Sequence, residues 1–510
     1  MRRRLLLNTA SNYVVFALQI VVAFVMTPLY VRYMGLQDYG LWEVVVSIIG
    51  YAGMLDLGLW PTISRFVAKY QAENNRALQE ATFATSLVFL SAIGVVGSLA
   101  TLGLVVALEP DLFFGDGPDV AYKRWFLLIL AINVVLRFPG ILAEAYLEGQ
   151  QRYFLKNSIT VINLAFSTAV VYALIDDVWG LMLLAGVGAV SMVVKYSIFF
   201  FLIFRAQPQH FAFRPTAFSS AHLRVLLRFG AKSFIQGLSG RISSKSSPLI
   251  IAGLSGTALV PLFTIPASLV RYASTFLMTS THASMPLFSQ LAASGQEQRI
   301  KSLYLPANKA VVGVGSLMLL GVALIGPTFI AVWITPEVAR ESAPILGFLA
   351  LGALGLGWNP FGSRYLTAID RHGIYAKYGP VFAVVGVLTG AGLLLVYGLP
   401  GLAAGIAAPV AISLPVFVRE VCRNLGVPMK RYFISFLPAV SAAAVAGYGA
   451  LHLYEGQFGA ASSYLGILGV TASVSVAYAV VFGIIDLLGP SEHSALRALV
   501  VSRRPEGGRV

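Results

Sequence analysis

A chain of 510 residues with 57% hydrophobic and 11% charged positions and a mean hydropathy of +0.78 lies far from the roughly 25% charged residues of a soluble globular protein. Water is therefore not its main solvent. The net charge of +14 would suit a nucleic-acid partner, but in a membrane protein basic cytoplasmic loops account for such an excess, and no nucleic-acid role is expected. A single cysteine, Cys422, excludes an intrachain disulfide and a thiolate metal cluster.

Met1-Arg2-Arg3-Arg4 precedes an apolar run from Tyr13 to Tyr33 that is long enough to span and lacks a small-residue cleavage site, which makes it a retained first helix rather than a signal peptide. The apolar stretches that follow run to about 20 residues, enough at 1.5 Å rise to cross about 30 Å of hydrocarbon. Stretches such as Ser158–Ile175 and Val381–Tyr397 do not alternate as β-barrel strands do. The chain is thus read as an all-α membrane protein of about 14 transmembrane helices. The spans fall near 12–33, 40–60, 82–107, 122–147, 155–175, 179–204, 225–252, 258–290, 306–334, 342–368, 376–397, 400–421, 432–453 and 463–487.

With the N-terminus in the cytoplasm, the inside loops collect bases: Arg65, Lys69 and Arg76 in one, Arg205, Arg214, Arg224 and Arg228 in another, and Arg419, Arg423, Lys430 and Arg431 in a third. The alternate loops are acidic, with Glu109, Asp111, Asp116, Asp119, Asp176, Asp177, Glu337 and Glu341, against Lys123, Arg124 and Arg340. This asymmetry places both termini in the cytoplasm. The longest inside connection, Arg205–His222, follows the sixth span. An internal echo marks the same division: Gly35-Leu36 recurs as Gly253-Leu254, and Pro139 with Tyr146-Leu147 recurs as Pro360 with Tyr365-Leu366. The expected organisation is an N-terminal six-helix lobe (1–210) and a C-terminal six-helix lobe (211–425) in a parallel pseudo-two-fold repeat. Two further helices (426–490) and a cytoplasmic tail (491–510) complete it.

Ionisable side chains within spans are costly, so function is the default reading for them. The bases are Arg137, Arg241, Lys245, Arg271 and Arg364. Arg241 and Lys245, four positions apart, share a helical face amid Ser239, Ser243, Ser244, Ser246 and Ser247. With Arg137 and Arg271 they could line a cationic lumen suited to phosphate or pyrophosphate, whereas pairing with buried carboxylates or snorkelling is the structural alternative. Glu43, Asp56 and Glu144 are the candidates for coupling to protons or sodium, with Glu144 alternatively pairing with Arg137 through an intervening group. Pro28, Pro139, Pro266, Pro286 and Pro360 lie within the expected spans, and Pro139 and Pro360 are the gating candidates. Asn133 and Asn359 serve as pore contacts or as interhelical hydrogen bonds. Nothing reads as an enzyme: the loops are short, there is no P-loop or His-Glu-x-x-His pattern, and no cofactor or metal is expected.

Gly35-Leu36-Gln37-Asp38-Tyr39-Gly40-Leu41-Trp42, then Leu55-Asp56-Leu57-Gly58-Leu59 and Arg65-Phe66-Val67, resembles the opening of the Wzx-type polysaccharide or O-antigen flippases. These belong to the multidrug/oligosaccharidyl-lipid/polysaccharide exporter superfamily. The resemblance implies a monomeric, alternating-access transporter of the bacterial inner membrane. Its cargo would be a polyprenyl-pyrophosphate-linked glycan moved from the cytoplasmic to the periplasmic leaflet, driven by an ion gradient or membrane potential. Membrane lipids and a glycan polymerase or other assembly proteins are the implied partners. The competing readings are a drug exporter of the same superfamily, which calls for an acidic lumen, and a membrane component of a polysaccharide polymerase or export complex.

Overall fold

The computed structural model describes residues 2–107, 120–176, 179–206, 218–281, 284–371, 373–458 and 462–488. Glu109, Asp111, Asp116, Asp119, Asp177, Arg214 and the 491–510 tail lie outside the described residues, as do the side chains of Lys123, Arg124, Lys232 and Pro286. The described residues form fifteen α-helices and no strand. They pack as two compact units, Met1–Pro261 and Leu262–Val510.

The first unit holds α1 (Arg2–Ala52), α2 (Leu59–Ala72), α3 (Arg76–Ala107), α4 (Val120–Gly149), α5 (Tyr153–Leu174), α6 (Gly180–Ala206) and α7 (Ser220–Ser255). The second holds nearly all of α8 (Val260–Ser280), and α9 (Ser284–Ala293), α10 (Glu297–Trp333), α11 (Pro336–Gly357), α12 (Gly362–Ala368), α13 (Gly373–Leu425), α14 (Met429–Phe458) and α15 (Tyr464–Leu488).

Among the described residues, ten helices are long and apolar enough to cross a membrane. Two of them cover two crossings each. Ser11–Asp56 is interrupted by Gly35 (φ 71, ψ 175) and Gly373–Leu425 by Gly398 (φ 64, ψ −154), a backbone region open essentially to glycine alone. Gly256, between α7 and α8, adopts a similar conformation (φ 93, ψ 159), so by backbone shape the counterpart of Gly35 is Gly256 rather than Gly253. With α7 and α8 added, the expected fourteen crossings each have a helix, although α7 and α8 are not among the ten.

Three expected spans are divided differently. The second, 40–60, breaks after Ala52 into a 3-10 turn, Gly53–Asp56, followed by left-handed Leu57 (φ 49) and Gly58 (φ 76). The eighth, 258–290, is two helices, α8 and α9. The tenth starts early, at Pro336, because Thr335 caps it by accepting from Val338 N at 3.3 Å and proline suits the first helical position. That span then breaks at 358–361, placing Pro360 in a turn instead of inside a helix; a residue before proline is pushed out of the helical region, which ends α11 at the Asn359-Pro360 step. Pro139 remains inside α4.

Each unit has its own core, and the two cores echo each other. In the first, Phe83 meets Tyr146 edge-on at 5.4 Å within a cluster that includes Phe138, Leu142 and Phe199. In the second, Tyr304 meets Tyr365 edge-on at 5.6 Å beside Phe361, Tyr432 and Phe436. Tyr146-Leu147 and Tyr365-Leu366, paired in sequence by the repeat, are all buried. Close helix contact rests on small residues: a β-carbon added at Gly352 would lie 2.6 Å from Ala407 Cβ, and one at Gly405 would lie 2.5 Å from Gly390 Cα, the packing expected where lipid replaces water. The outer faces stay apolar, as at Phe166, Leu395 and Leu465, the last 81% exposed, an arrangement stable only with hydrocarbon as solvent.

Candidate functional site

The break in the second span organises the first unit's charged residues. Leu57 and Gly58 turn the chain out of the helix, and Gly58 N donates to Asp56 Oδ1 at 3.0 Å, so the turn itself aims the carboxylate. A β-carbon at Gly58 would lie 2.2 Å from Gly230 O of α7. Glycine is therefore required there twice, for its positive φ and for the close approach of α7.

Gly50, Gly53 and Asp56, spaced three apart, present one face to three bases. A β-carbon at Gly50 would lie 2.8 Å from Lys245 Cε, and one at Gly53 would lie 3.3 Å from Arg137 Nε and Nη2. Arg241 Nη1 donates to Asp56 Oδ1 and to Gly53 O, each at 3.4 Å. The i, i+4 spacing of Arg241 and Lys245 thus brings both to the same surface. Beside them the hydroxyls of Tyr51 and Ser246 share a short hydrogen bond.

Arg137, Arg241 and Lys245 gather at this break, where Arg241 contacts the Asp56 carboxylate. Arg137 Nε is buried and has no hydrogen-bond partner among the described residues. The Asp56–Arg241 contact is longer than the 2.7–2.9 Å of a well-formed charge-assisted hydrogen bond. Asp56 is nearly fully buried, whereas the Arg241 side chain is 39% exposed. The Arg241 contact is therefore loosely closed, the condition in which an anion can take over a guanidinium.

Two other charged pairs in the same unit are closed. Glu144 accepts from Lys195 Nζ of α6 at 2.9 Å, so the expected link to Arg137 is replaced by a direct partner. Lys195 lies well inside the sixth span and meets the same criterion as Arg137, yet the sequence reading passes over it. Glu148 takes Lys156 Nζ at 2.7 Å and Trp60 Nε1 at 2.8 Å. Glu43 accepts from Tyr39 Oη at 3.1 Å.

The remaining candidates are placed as follows. Arg271, in α8 of the second unit, is exposed with its guanidinium 5.4 Å from the ring centre of Tyr272. Arg364 is half-buried in α12. Asn133 is interhelical, donating to Ile129 O at 2.9 Å and Ala185 O at 3.3 Å. Asn359 is the hub of a buried network: its Oδ1 accepts from Tyr304 Oη and Tyr432 Oη, each at 3.0 Å, and its Nδ2 donates to Tyr375 Oη at 3.4 Å. No group of three metal-ligating side chains occurs among the described residues.

The family described as polysaccharide biosynthesis protein matches residues 5–292. The chain is similar to the uncharacterized membrane protein EpsK of Bacillus subtilis (strain 168), with 24% identity over 447 residues, covering 81% of this chain and 83% of EpsK. Its fold is similar to that of the lipid II flippase MurJ in an inward closed conformation, with TM-score 0.67 and 14% identity, covering 98% of this chain and all 100% of that one. An inward-facing multidrug resistance MATE family transporter of the MOP superfamily aligns with TM-score 0.63 and 16% identity, over 79% of this chain and 98% of that one.

Proposed function

The chain belongs to the polysaccharide biosynthesis protein family, and on that premise we propose that it is a flippase for a polyprenyl-pyrophosphate-linked oligosaccharide. It carries its cargo from the cytoplasmic to the periplasmic leaflet of the bacterial inner membrane by alternating access, with both termini in the cytoplasm. The lobe limits at 210/211 and 425/426 and the single-chain transport unit are part of the same proposal.

The observation that carries this reading is the basic cluster at the broken second span. Arg137, Arg241 and Lys245 converge on Gly50–Asp56, and a discontinuous membrane helix is where transporters of this kind expose backbone and charge to substrate. Pyrophosphate presents several anionic oxygens, which guanidinium forks and an ammonium complement. When it arrives, Arg241 exchanges its long contact with Asp56 for shorter ones to phosphate. Asp56 is therefore the favoured coupling residue, whereas Glu144 is committed to Lys195. Arg271 and Arg364 are proposed as further cations for the glycan or pyrophosphate, and a glycan polymerase as a partner that receives the product. The basic cluster disfavours a drug exporter of cations.

The test is flipping of a fluorescent polyprenyl-pyrophosphate oligosaccharide in proteoliposomes. Replacing Arg241 and Lys245 together by alanine should slow flipping at least about tenfold, the equivalent of one lost contact of about 1.4 kcal/mol. Substituting Lys195→Met and Glu144→Leu together should leave the rate near wild type. Wild-type flipping by the Arg241/Lys245 variant would remove the anion site; no flipping by the wild type would remove the substrate class.

A further inference from the structure

A groove of about 590 Å³ lies on the first unit, walled by α5 and α6 with Ile129 of α4. Its α5 lining, Asn163, Phe166, Ser167 and Val170, follows one helical face, and the α6 lining from Met182 to Val194 follows another. Phe166 and Val190 are among the most exposed apolar side chains of the unit, so the groove opens on the face that meets lipid.

Two observations decide what fills it. First, its lining is almost wholly apolar, and two of its polar groups are bonded within the protein: Asn163 Nδ2 donates to Ser191 Oγ at 2.5 Å and Ser167 Oγ donates to Leu164 O at 3.1 Å. Apolar cavities of this kind stay dry and take hydrocarbon. Second, the groove runs from Trp179 to Val194, a rise of about 22 Å, which exceeds the roughly 15 Å of one leaflet of a 30 Å hydrocarbon core. A phospholipid acyl chain confined to one leaflet would leave part of such a slot empty. A chain able to pass the midplane would fill it.

We infer that the α5–α6 groove binds the polyprenyl tail of the transported lipid. The inference rests on the proposed function for the identity of the tail, and it adds a second site, distinct from the charged cluster. The slot stops at Val194, and the next residue, Lys195, is tied to Glu144, so the hydrocarbon site ends where the buried ion pair begins.

Gly186 provides the means to test it. It lines the groove, and a β-carbon placed on it meets nothing within 4 Å, so Gly186→Phe fills the slot without displacing a packed neighbour. The full chain in nanodiscs is photolysed with a polyprenyl diphosphate bearing a diazirine in its tail, or with a phospholipid bearing the same group, and crosslinks are mapped by mass spectrometry. The polyprenyl probe should label Phe166, Val187 or Val190, be displaced by unlabelled polyprenyl diphosphate, and lose at least tenfold in labelling in Gly186→Phe. Val190→Trp, which blocks the slot from its rim, should repeat the loss should Gly186→Phe fold poorly. Equal labelling by the phospholipid probe, resistant to polyprenyl diphosphate, would assign the slot to bulk lipid and overturn the inference, as would polyprenyl labelling elsewhere. Groove labelling in a protein that flips nothing would keep the site and reject the transport reading; flipping with no groove labelling would do the reverse.

Discussion

At the scale of single residues, the distances separate a tightly closed charged pair from a looser one. Lys195 and Glu144 sit 2.9 Å apart with side chains 17% and 14% exposed. Removing one partner strands a charge, so Lys195→Met should destabilise by about 3 kcal/mol, and adding Glu144→Leu should recover most of that, a coupling that thermal unfolding in detergent would measure. The looser Arg241–Asp56 contact should show a much smaller coupling in the corresponding cycle, because Gly58 N still holds the Asp56 carboxylate when Arg241 is gone. A third residue reports pH. His222, in the first turn of α7, places Nε2 2.8 Å from Thr82 Oγ1, and burial lowers its pKa below the ordinary 6.5. A base depressed in the folded state contributes its full stability above its unfolded pKa and loses it as pH falls from there toward the folded pKa. The wild-type melting temperature should therefore drop between pH 7 and pH 5 more than that of His222→Gln; parallel curves would show that His222 titrates freely. Much of this scale is written in the sequence. The shared face of Arg241 and Lys245 follows from their spacing alone, and Lys195 and Glu144 are both ionisable residues within spans. Their partnership is not legible, since which of two neighbouring helices supplies the counter-charge is settled only by tertiary packing.

At the scale of elements, the interruptions matter more than the helices. Gly35 and Gly256 share a backbone conformation closed to other residues, and at each a β-carbon would meet nothing within 4 Å. Any cost of Gly35→Ala or Gly256→Ala is therefore backbone strain, about 2 kcal/mol for this region. Gly321→Ala, on α10 with equally open space, is the matched control and should be neutral or stabilising by up to about 1 kcal/mol; a cost at Gly321 as large as at Gly35 would refute the strain argument. The break at Asn359-Pro360 is held differently. Tyr304 and Tyr432, both fully buried, donate to the one oxygen of Asn359, so Asn359→Leu should destabilise by about 3 kcal/mol through two phenols left without that acceptor. Sequence patterns expose these features unevenly. Asn-Pro is a turn signal, but inside an apolar stretch it reads equally as a kink, and the structure makes it a turn. The break at Leu57 is less visible still, because a leucine in the left-handed region contradicts its own preference and is held there by the docking of Gly58 on α7.

At the scale of the whole molecule, the reading turns on α7. Apolar length predicts most crossings directly, and two of the ten apolar helices resolve into two crossings each at a glycine. α7 carries Arg241, Lys245 and a run of serines, and it is not among the ten. Its polar face is covered by the turn at Gly50–Gly58 instead of by lipid, so hydropathy understates its capacity to cross. The count of fourteen and the side on which the α7–α8 connection emerges both depend on that crossing. Cysteine labelling decides it. With the buried Cys422 replaced by alanine, single cysteines at the exposed positions Glu73, Asp176, Ser255, Gln296 and Glu337 are treated with a membrane-impermeant maleimide on intact spheroplasts. Fourteen crossings with a cytoplasmic N-terminus expose Asp176, Ser255 and Glu337 to the reagent from outside, while Glu73 and Gln296 react only after permeabilisation. If Ser255 alone changes sides, α7 and α8 both lie in the cytoplasmic half and the bases on α7 never enter the membrane, which would remove the proposed pyrophosphate site along with two crossings. If every position follows the expected pattern, a helix bearing two cations crosses because the broken second span shields its polar face, and the charged cluster takes its place within the membrane.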